Sequence, residues 1–319
     1  RPRPVVYISL DLISMSRIDT NDRSFDAEFY LSFRSEASDI DITDIHFTNA
    51  YRAQTGKGKL ISWRQIHGGQ ESSSFPSNVK LYRVSGKFNF EPELGRYPFD
   101  TQRLSISFQP ASASQPFLIQ PPSAQSITTP FLIDGWNAKD RYVGSDQDII
   151  PTIDRHHGEK RLVPFYKFNS TWVVSRNATD YYLRVIVPLG FILLVTYFSI
   201  FLGHARFDST VAIQVTALLS AIALYLALPK VDSDQATLSD KVFMITYAMV
   251  SFMIGLSVLK DWSFVGQRPF VRRLVSFIQT IVYPVIAIGL MTSLVAGPVF
   301  LAEMSEKLAD FIGNLISWA

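Results

Sequence analysis

Residues 205–230 read ARFDSTVAIQVTALLSAIALYLALPK. About 20 mostly apolar residues in helical form cross a hydrocarbon core ~30 Å thick, and this run reaches that length with an acid near one end. Along it, Asp208, Ala212, Val215, Leu219, Ile222 and Leu226 follow at spacings of four, three, four, three and four, which puts them on one helical face. An acid on a lipid-facing stripe is costly, and intramembrane acids normally face a polar interior or a water pathway. A helix-end Asp snorkelling to the interface is the plainer alternative. Repeated around an axis, the stripe becomes a carboxylate ring at one mouth with apolar rings above it. Carboxylate rings favour cations, and apolar constrictions gate by dewetting. One helix cannot enclose a pore, so this reading requires an oligomer.

Working outward, the quoted helix runs from about Arg206 to Leu228, and three more stretches are long and apolar enough to span: about Tyr181 to Leu202, roughly Val242 to Leu259 and roughly Leu274 to Val299. Buried helices of a large soluble protein are the alternative, and four such runs in ~120 residues argue against it. Pro188 lacks an N–H and is expected to kink the first span. His204 and Arg206 lie between the first two spans, and Lys260, Arg268, Arg272 and Arg273 in the loop after the third. The remaining loop sets Asp232, Asp234 and Asp240 against Lys230 and Lys241. Lys and Arg gather in cytoplasmic loops, so residues 1–180 and the C-terminus are expected outside. Beyond Val299, FLAEMSEKLADFIGNLISWA carries its apolar residues at helical spacing. It predicts an amphipathic helix over 300–319 at the outer interface, with Gly297–Pro298 breaking it from the fourth span.

Residues 1–180 carry most of the charge and read as short strands. Residues 5–15 and 25–35 alternate apolar and polar, as do Lys59–Ile66, Val79–Phe90, Arg103–Phe108, the neighbourhood of Tyr142–Val143, and Phe165–Ser175. DTND at 19–22, TGKGK at 55–59, HGGQ at 67–70 and QPPS at 120–123 separate them. No long helix-period run occurs before residue 180, so an all-β sandwich is expected. The domains are thus 1–180 (sandwich), 181–299 (four-helix membrane bundle) and 300–319 (amphipathic helix).

Composition excludes several classes. The net charge of +2 and the lack of a basic stripe argue against nucleic acid as a partner. With no cysteine there are no disulfides, thiol chemistry or thiolate metal sites. No nucleophile elbow or glycine-rich phosphate loop appears, so an enzyme is not expected. His156–His157 point opposite ways if extended and form a poor metal pair. Asp39, Asp41 and Asp44 form one acidic run and Asp146 with Asp148 another. Oxygen clusters suit Ca²⁺, and a solvated acidic loop is the alternative. The chain starts at Arg1 without a charged-then-apolar leader, so an exported outer half would have had one removed.

The order of sandwich, then four spans with an acid at the inner end of the second, resembles the pentameric ligand-gated ion channels, the Cys-loop receptor superfamily, and especially its prokaryotic members. GRYPFDTQRL at 95–104 is similar to the family's FPFDxQ motif, with Tyr97 in place of the first Phe. Arg176, twelve residues before Pro188, resembles the arginine that precedes the family's first membrane helix. Residues 205–230 fit its pore helix without a gap, and YLSF at 30–33 and GW at 135–136 sit where the family has them.

The resemblance implies a homopentamer in a bacterial inner membrane, without cofactor, its partners being lipid, permeant ions and an agonist that is a small ligand, proton or divalent ion. It implies a pore lined by Asp208, Ala212, Val215, Leu219, Ile222 and Leu226. It further implies coupling through Asp100 and Arg176, joined by Asp19 or Asp22 of the first hairpin turn, with the loop Lys230–Asp240 receiving the motion. An agonist pocket is expected under the hairpin Arg155–Pro164, near Phe165, Tyr166 and Trp172, and Ca²⁺ is a candidate modulator. The family's box aromatic just after FPFD is replaced by Ala111, so an amine pocket of the usual kind is not expected. Cation selectivity is the expected preference, with Asp208 the one acid at the inner mouth. A non-conducting membrane receptor of the same architecture is the alternative function.

Overall fold

The computed structural model describes residues 5–35, 40–51, 61–70, 78–111, 118–120, 133, 135–153, 160–202, 206–262, 265 and 267–296. The chain divides into two compact units. The first holds Arg1–Asn177 with Val231–Gln235; the second holds Ala178–Lys230 and the described residues from Ala236 onward.

The first unit is a β-sandwich. One sheet has five strands in the order β4 (Ile61–Gly68), β5 (Val79–Asn89), β2 (Ser24–Ser35), β1 (Val5–Asp19) and β7 (Leu118–Gln120). The other has four, in the order β3 (Ile45–Phe47), β6 (Thr101–Pro110), β9 (Lys160–Arg176) and β8 (Trp136–Ile153). All pairings are antiparallel except the short β1–β7 contact. Strict alternation explains the strands: Val6, Ile8 and Leu10 of β1 and Phe25, Phe29, Leu31 and Phe33 of β2 point inward, meeting Leu104, Ile106, Phe108, Phe168 and Trp172 from the other sheet. Phe108 and Phe168 stack at 4.7 Å in the middle. Two short strands, β3 and β7, were too brief for periodicity to find. β8 is far longer than the Tyr142–Val143 neighbourhood suggested, because it pairs with β9 over its whole length.

The second unit contains four helices long and apolar enough to cross a membrane: α1 (Thr179–Leu202), α2 (Phe207–Leu226), α3 (Leu238–Asp261) and α4 (residues 269–296). α3 begins ahead of the expected Val242 because Thr237 and Asp240 form a reciprocal capping box. α4 begins at Pro269, whose ring presets the first helical position, so Arg272 and Arg273 belong to the helix and not to the loop before it. In place of a simple proline kink, α1 widens into a π-turn at Tyr182–Ile186, just ahead of Pro188. α4 repeats the device: a π-turn at Ile278–Val282 precedes Pro284 by the same offset. A proline ring collides with the carbonyl four residues back, and a wider turn relieves that collision. The expected helix over 300–319, the Gly297–Pro298 break, His204, His156–His157 and the turn at 55–59 lie outside the described residues.

Candidate functional site

Two groups of residues singled out by sequence take definite form, one in each unit. In the sandwich, the turn 95–98 folds back through Tyr97 N–H to the Leu94 carbonyl and Phe99 N–H to the Arg96 carbonyl, with a cis Tyr97–Pro98 bond. This delivers Asp100 to the head of β6, where its side chain is fully buried. β6 pairs with β9, so Asp100 faces Arg176, the last residue of β9. The guanidinium forks onto the carboxylate: Nε donates to Oδ1 at 2.7 Å and an Nη to Oδ2 at 3.1 Å. Arg176 N–H also donates to the Asp100 carbonyl at 3.1 Å. Gln102 donates to Oδ2 at 2.6 Å and is itself held by both backbone groups of Glu93.

Above the pair, the guanidinium lies over the rings of Trp136, at 4.3 Å, and Tyr97, at 5.1 Å. Gly135, at a φ of +78° that suits glycine, turns the chain so that Trp136 covers the arginine. Desolvation by burial raises the Tyr97 hydroxyl pKa above its ordinary value. A charge-assisted bidentate pair with every carboxylate oxygen occupied and aromatic walls is rigid and costly to break from one side. It sits at the end of the strand that runs on, three residues later, into α1.

Asp19 and Asp22 form a separate network. Asp19 Oδ1 accepts the N–H groups of Asn21 and Asp22, closing the hairpin turn. Asp22 accepts from Lys87 Nζ at 2.5 Å, Ser24 at 2.8 Å and Tyr51 at 3.0 Å. Lys87 in particular holds the Asp22 carboxyl below its usual range, and Asp22 in turn raises the Lys87 ammonium. Asn21, which sequence reasoning passed over, accepts the Asp232 N–H at 3.0 Å; residues 231–235 cluster with the sandwich.

The second group is the stripe on α2. Asp208, Ala212, Val215, Leu219, Ile222 and Leu226 are all exposed, Leu226 at 76%. The opposite face carries Thr210, Gln214, Ala217 and Ala221, all buried. Gln214 donates to Ser199 of α1 at 2.9 Å and to Ser257 of α3 at 3.1 Å, while Gln279 of α4 donates to the same Ser257 at 3.2 Å. At the other end of α2, Tyr225 donates to Asp240 at 2.9 Å. The helix is thus held from behind by hydrogen bonds and leaves the acid-bearing stripe uncovered. This polar backing was missed at the sequence level, although Thr210, Gln214, Ala217 and Ala221 repeat the same four-three-four spacing, shifted by two.

The remaining candidates do not converge. Trp172 is 1% exposed inside the sandwich core, beneath the Arg141 guanidinium at 5.1 Å. Tyr166 is half-buried on the same strand, ~20 Å away at the usual rise per residue, so the two do not wall one pocket. The side chain of Phe165 lies outside the described residues, as do residues 154–159, which include the start of the expected hairpin Arg155–Pro164, and Asp39 and the side chain of Asp148. Asp41 and Asp44 cap a single 3₁₀ turn reciprocally, and Asp41 also accepts from the Tyr82 hydroxyl. Asp146 is exposed and sits opposite Lys167 in the register. Among the described residues no three His, Asp or Glu side chains gather as a metal site. No family model and no curated protein sequence matches the chain.

Proposed function

We propose that the chain is a subunit of a homopentameric, ligand-gated, cation-selective ion channel of a bacterial inner membrane, with α2 lining the pore. One observation carries this reading: the six residues collected by spacing alone form the face of α2 that its own subunit leaves exposed, with Asp208 at one end and apolar residues beyond it. An exposed carboxylate on a membrane-length helix needs water or a polar partner, and copies of the same face around an axis supply both. Five carboxylates favour cations, and the rings of Val215, Leu219, Ile222 and Leu226 gate by excluding water. The sandwich would sense the agonist, whether small ligand, proton or divalent ion, with Ca²⁺ as a candidate modulator. The Asp100–Arg176 fork would carry its motion to α1, and the Asn21–Asp232 hydrogen bond to the loop that follows α2.

The experiment is current through planar bilayers containing the purified oligomer, in asymmetric salt, while pH and Ca²⁺ are varied. Discrete cation-selective steps are expected, with the preference reduced in Asp208→Asn. Unchanged reversal potentials in that variant would remove Asp208 from the pore. Silence from a folded oligomer under every condition would favour a non-conducting membrane receptor of the same architecture.

A further inference from the structure

At the end of the bundle where α1 stops and α2 begins, a cavity of about 60 Å³ is lined by Ile200, Phe207, Thr210, Ser257, Lys260, Asp261 and Gln279. Each of the four helices contributes to it. Its polar wall is under-partnered, and counting protons shows why. Ser199 spends its one hydroxyl proton on the Thr196 carbonyl at 2.7 Å, so toward Gln214 it can only accept. That sets the Gln214 NH₂ toward Ser199 and Ser257. Ser257 then has a single proton left and meets the amide of Gln279 as well.

The Gln279 oxygen has no partner, nor has that of Gln214, and the two residues are 2% and 0% exposed. The Gln279 amide thus spends its NH₂ on Ser257 and keeps a buried acceptor without a donor. Gln279 also stands in the π-turn of α4, an irregularity of the kind found at binding sites.

We propose that this cavity is a hydration site, holding about two water molecules on Gln279 and Ser257. Water donates to a carbonyl oxygen, so it completes the amide. The volume is sufficient: a water needs ~10–15 Å³ of probe volume, and buried waters settle where polar groups lack partners. Lys260 and Asp261 on the same wall offer it further hydrogen bonds. The site does not depend on conduction and stands or falls separately from the pore reading.

The test is a structure of the full chain in lipid at a resolution that shows ordered water, for the wild type and for Gln279→Met. Two density peaks within hydrogen-bond distance of Gln279 and Ser257 are expected, with the peak at the amide lost in the variant. A dry wild-type cavity would overturn the proposal, and so would an unchanged pair of peaks in Gln279→Met. Should Gln279→Met fail to assemble, magnetisation transfer from water to the Gln279 side-chain amide in labelled wild type decides. Transfer is expected, and its absence would overturn the proposal.

Discussion

In the sandwich, the largest fully buried side chains are aromatic and aliphatic: Phe25, Phe29, Phe33, Phe88, Phe108, Phe168, Trp172 and Leu31. In the bundle, Thr196, Gln214, Thr246 and Gln279 are as deeply buried, while Leu183, Phe191, Leu219, Phe270 and Ile288 stand on the outside. The sandwich draws its apolar groups away from water. The bundle buries Leu189, Phe243, Val250 and Met253 as fully, but against lipid that burial is no escape from water, and it also draws in groups that lipid cannot hydrogen-bond. It also closes on itself less: only 22% of the span window in α2 and 17% in α4 are buried, against 44% in α3. α3 is the internal post of the bundle, and α2 and α4 keep more of their faces exposed.

Removing a guanidinium from the sandwich tests the first half of that contrast most severely. Arg176→Ala leaves the fully buried Asp100 carboxyl without its cation, with Gln102 still bonded to it, and breaking a buried pair from one side costs ~3–5 kcal/mol. A large fall in thermal stability is expected, with gating or assembly impaired. The double variant Arg176→Met with Asp100→Asn should recover much of the stability without the response. Normal stability and normal responses in Arg176→Ala would strip the pair of both roles.

In the bundle, the same kind of deletion should be milder. Gln214→Leu removes the two donors that tie α2 to α1 and α3, and interhelical hydrogen bonds in membranes are worth ~0.6 kcal/mol on average. The expected loss is about 1 kcal/mol in a reversible unfolding assay in mixed micelles. A loss as large as that of Arg176→Ala would mean that the seam behaves like a sandwich core, and the contrast would fail.

The hairpin tip lies between these extremes in composition and below them in energy. Asp22 titrates below 3.8, so its part of the lock is present above that pH and fades as pH falls through the lower native value. Lys87 titrates above 10.5, so its part is present below that pH and fades as pH rises through the higher native value. The protection of the amides at residues 21–24, taken relative to their intrinsic exchange rate at each pH, should therefore be greatest between these limits and fall toward acid. Both partners are part-exposed and screened, so the gain is under ~1 kcal/mol. Lys87→Met should flatten the acid limb, and an unaltered profile would assign the turn's order to Asp19 alone.

What could be read beforehand follows the range of the interactions. The α2 stripe and the strands of β1, β2 and β5 are periodic within one segment, so alternation and helical spacing expose them. The FPFD-like turn and Arg176 were paired only through resemblance, since 76 residues separate them and no local pattern joins them. Lys87 was missed as the partner of Asp22 for the same reason, at a separation of 65. Trp172 shows a subtler limit. Alternation assigns it a face, and depth along the strand decides whether that face is core or rim. The π-turns depend on hydrogen-bond register, which hydropathy does not encode, although both stand at one fixed offset before a proline.

The smallest expected change in stability belongs to the exposed face of α2, where the functional change should be largest. Asp208 and Val215 are exposed, unlike the buried Gln214, and exposed substitutions usually shift stability by less than ~0.5 kcal/mol. Asp208→Asn should leave assembly intact and lower the preference for cations. Val215→Ser should leave unfolding unchanged and favour conduction at rest, because a ring of hydroxyls wets more readily than a ring of methyls. If Val215→Ser instead destabilises the oligomer strongly, the stripe is packed against protein, as the inner face is, and the pore must lie elsewhere. If neither stability nor resting current moves, Val215 is not the proposed water-excluding ring, and the same serine substitution at Leu219, Ile222 and Leu226 tests the rest of the stripe.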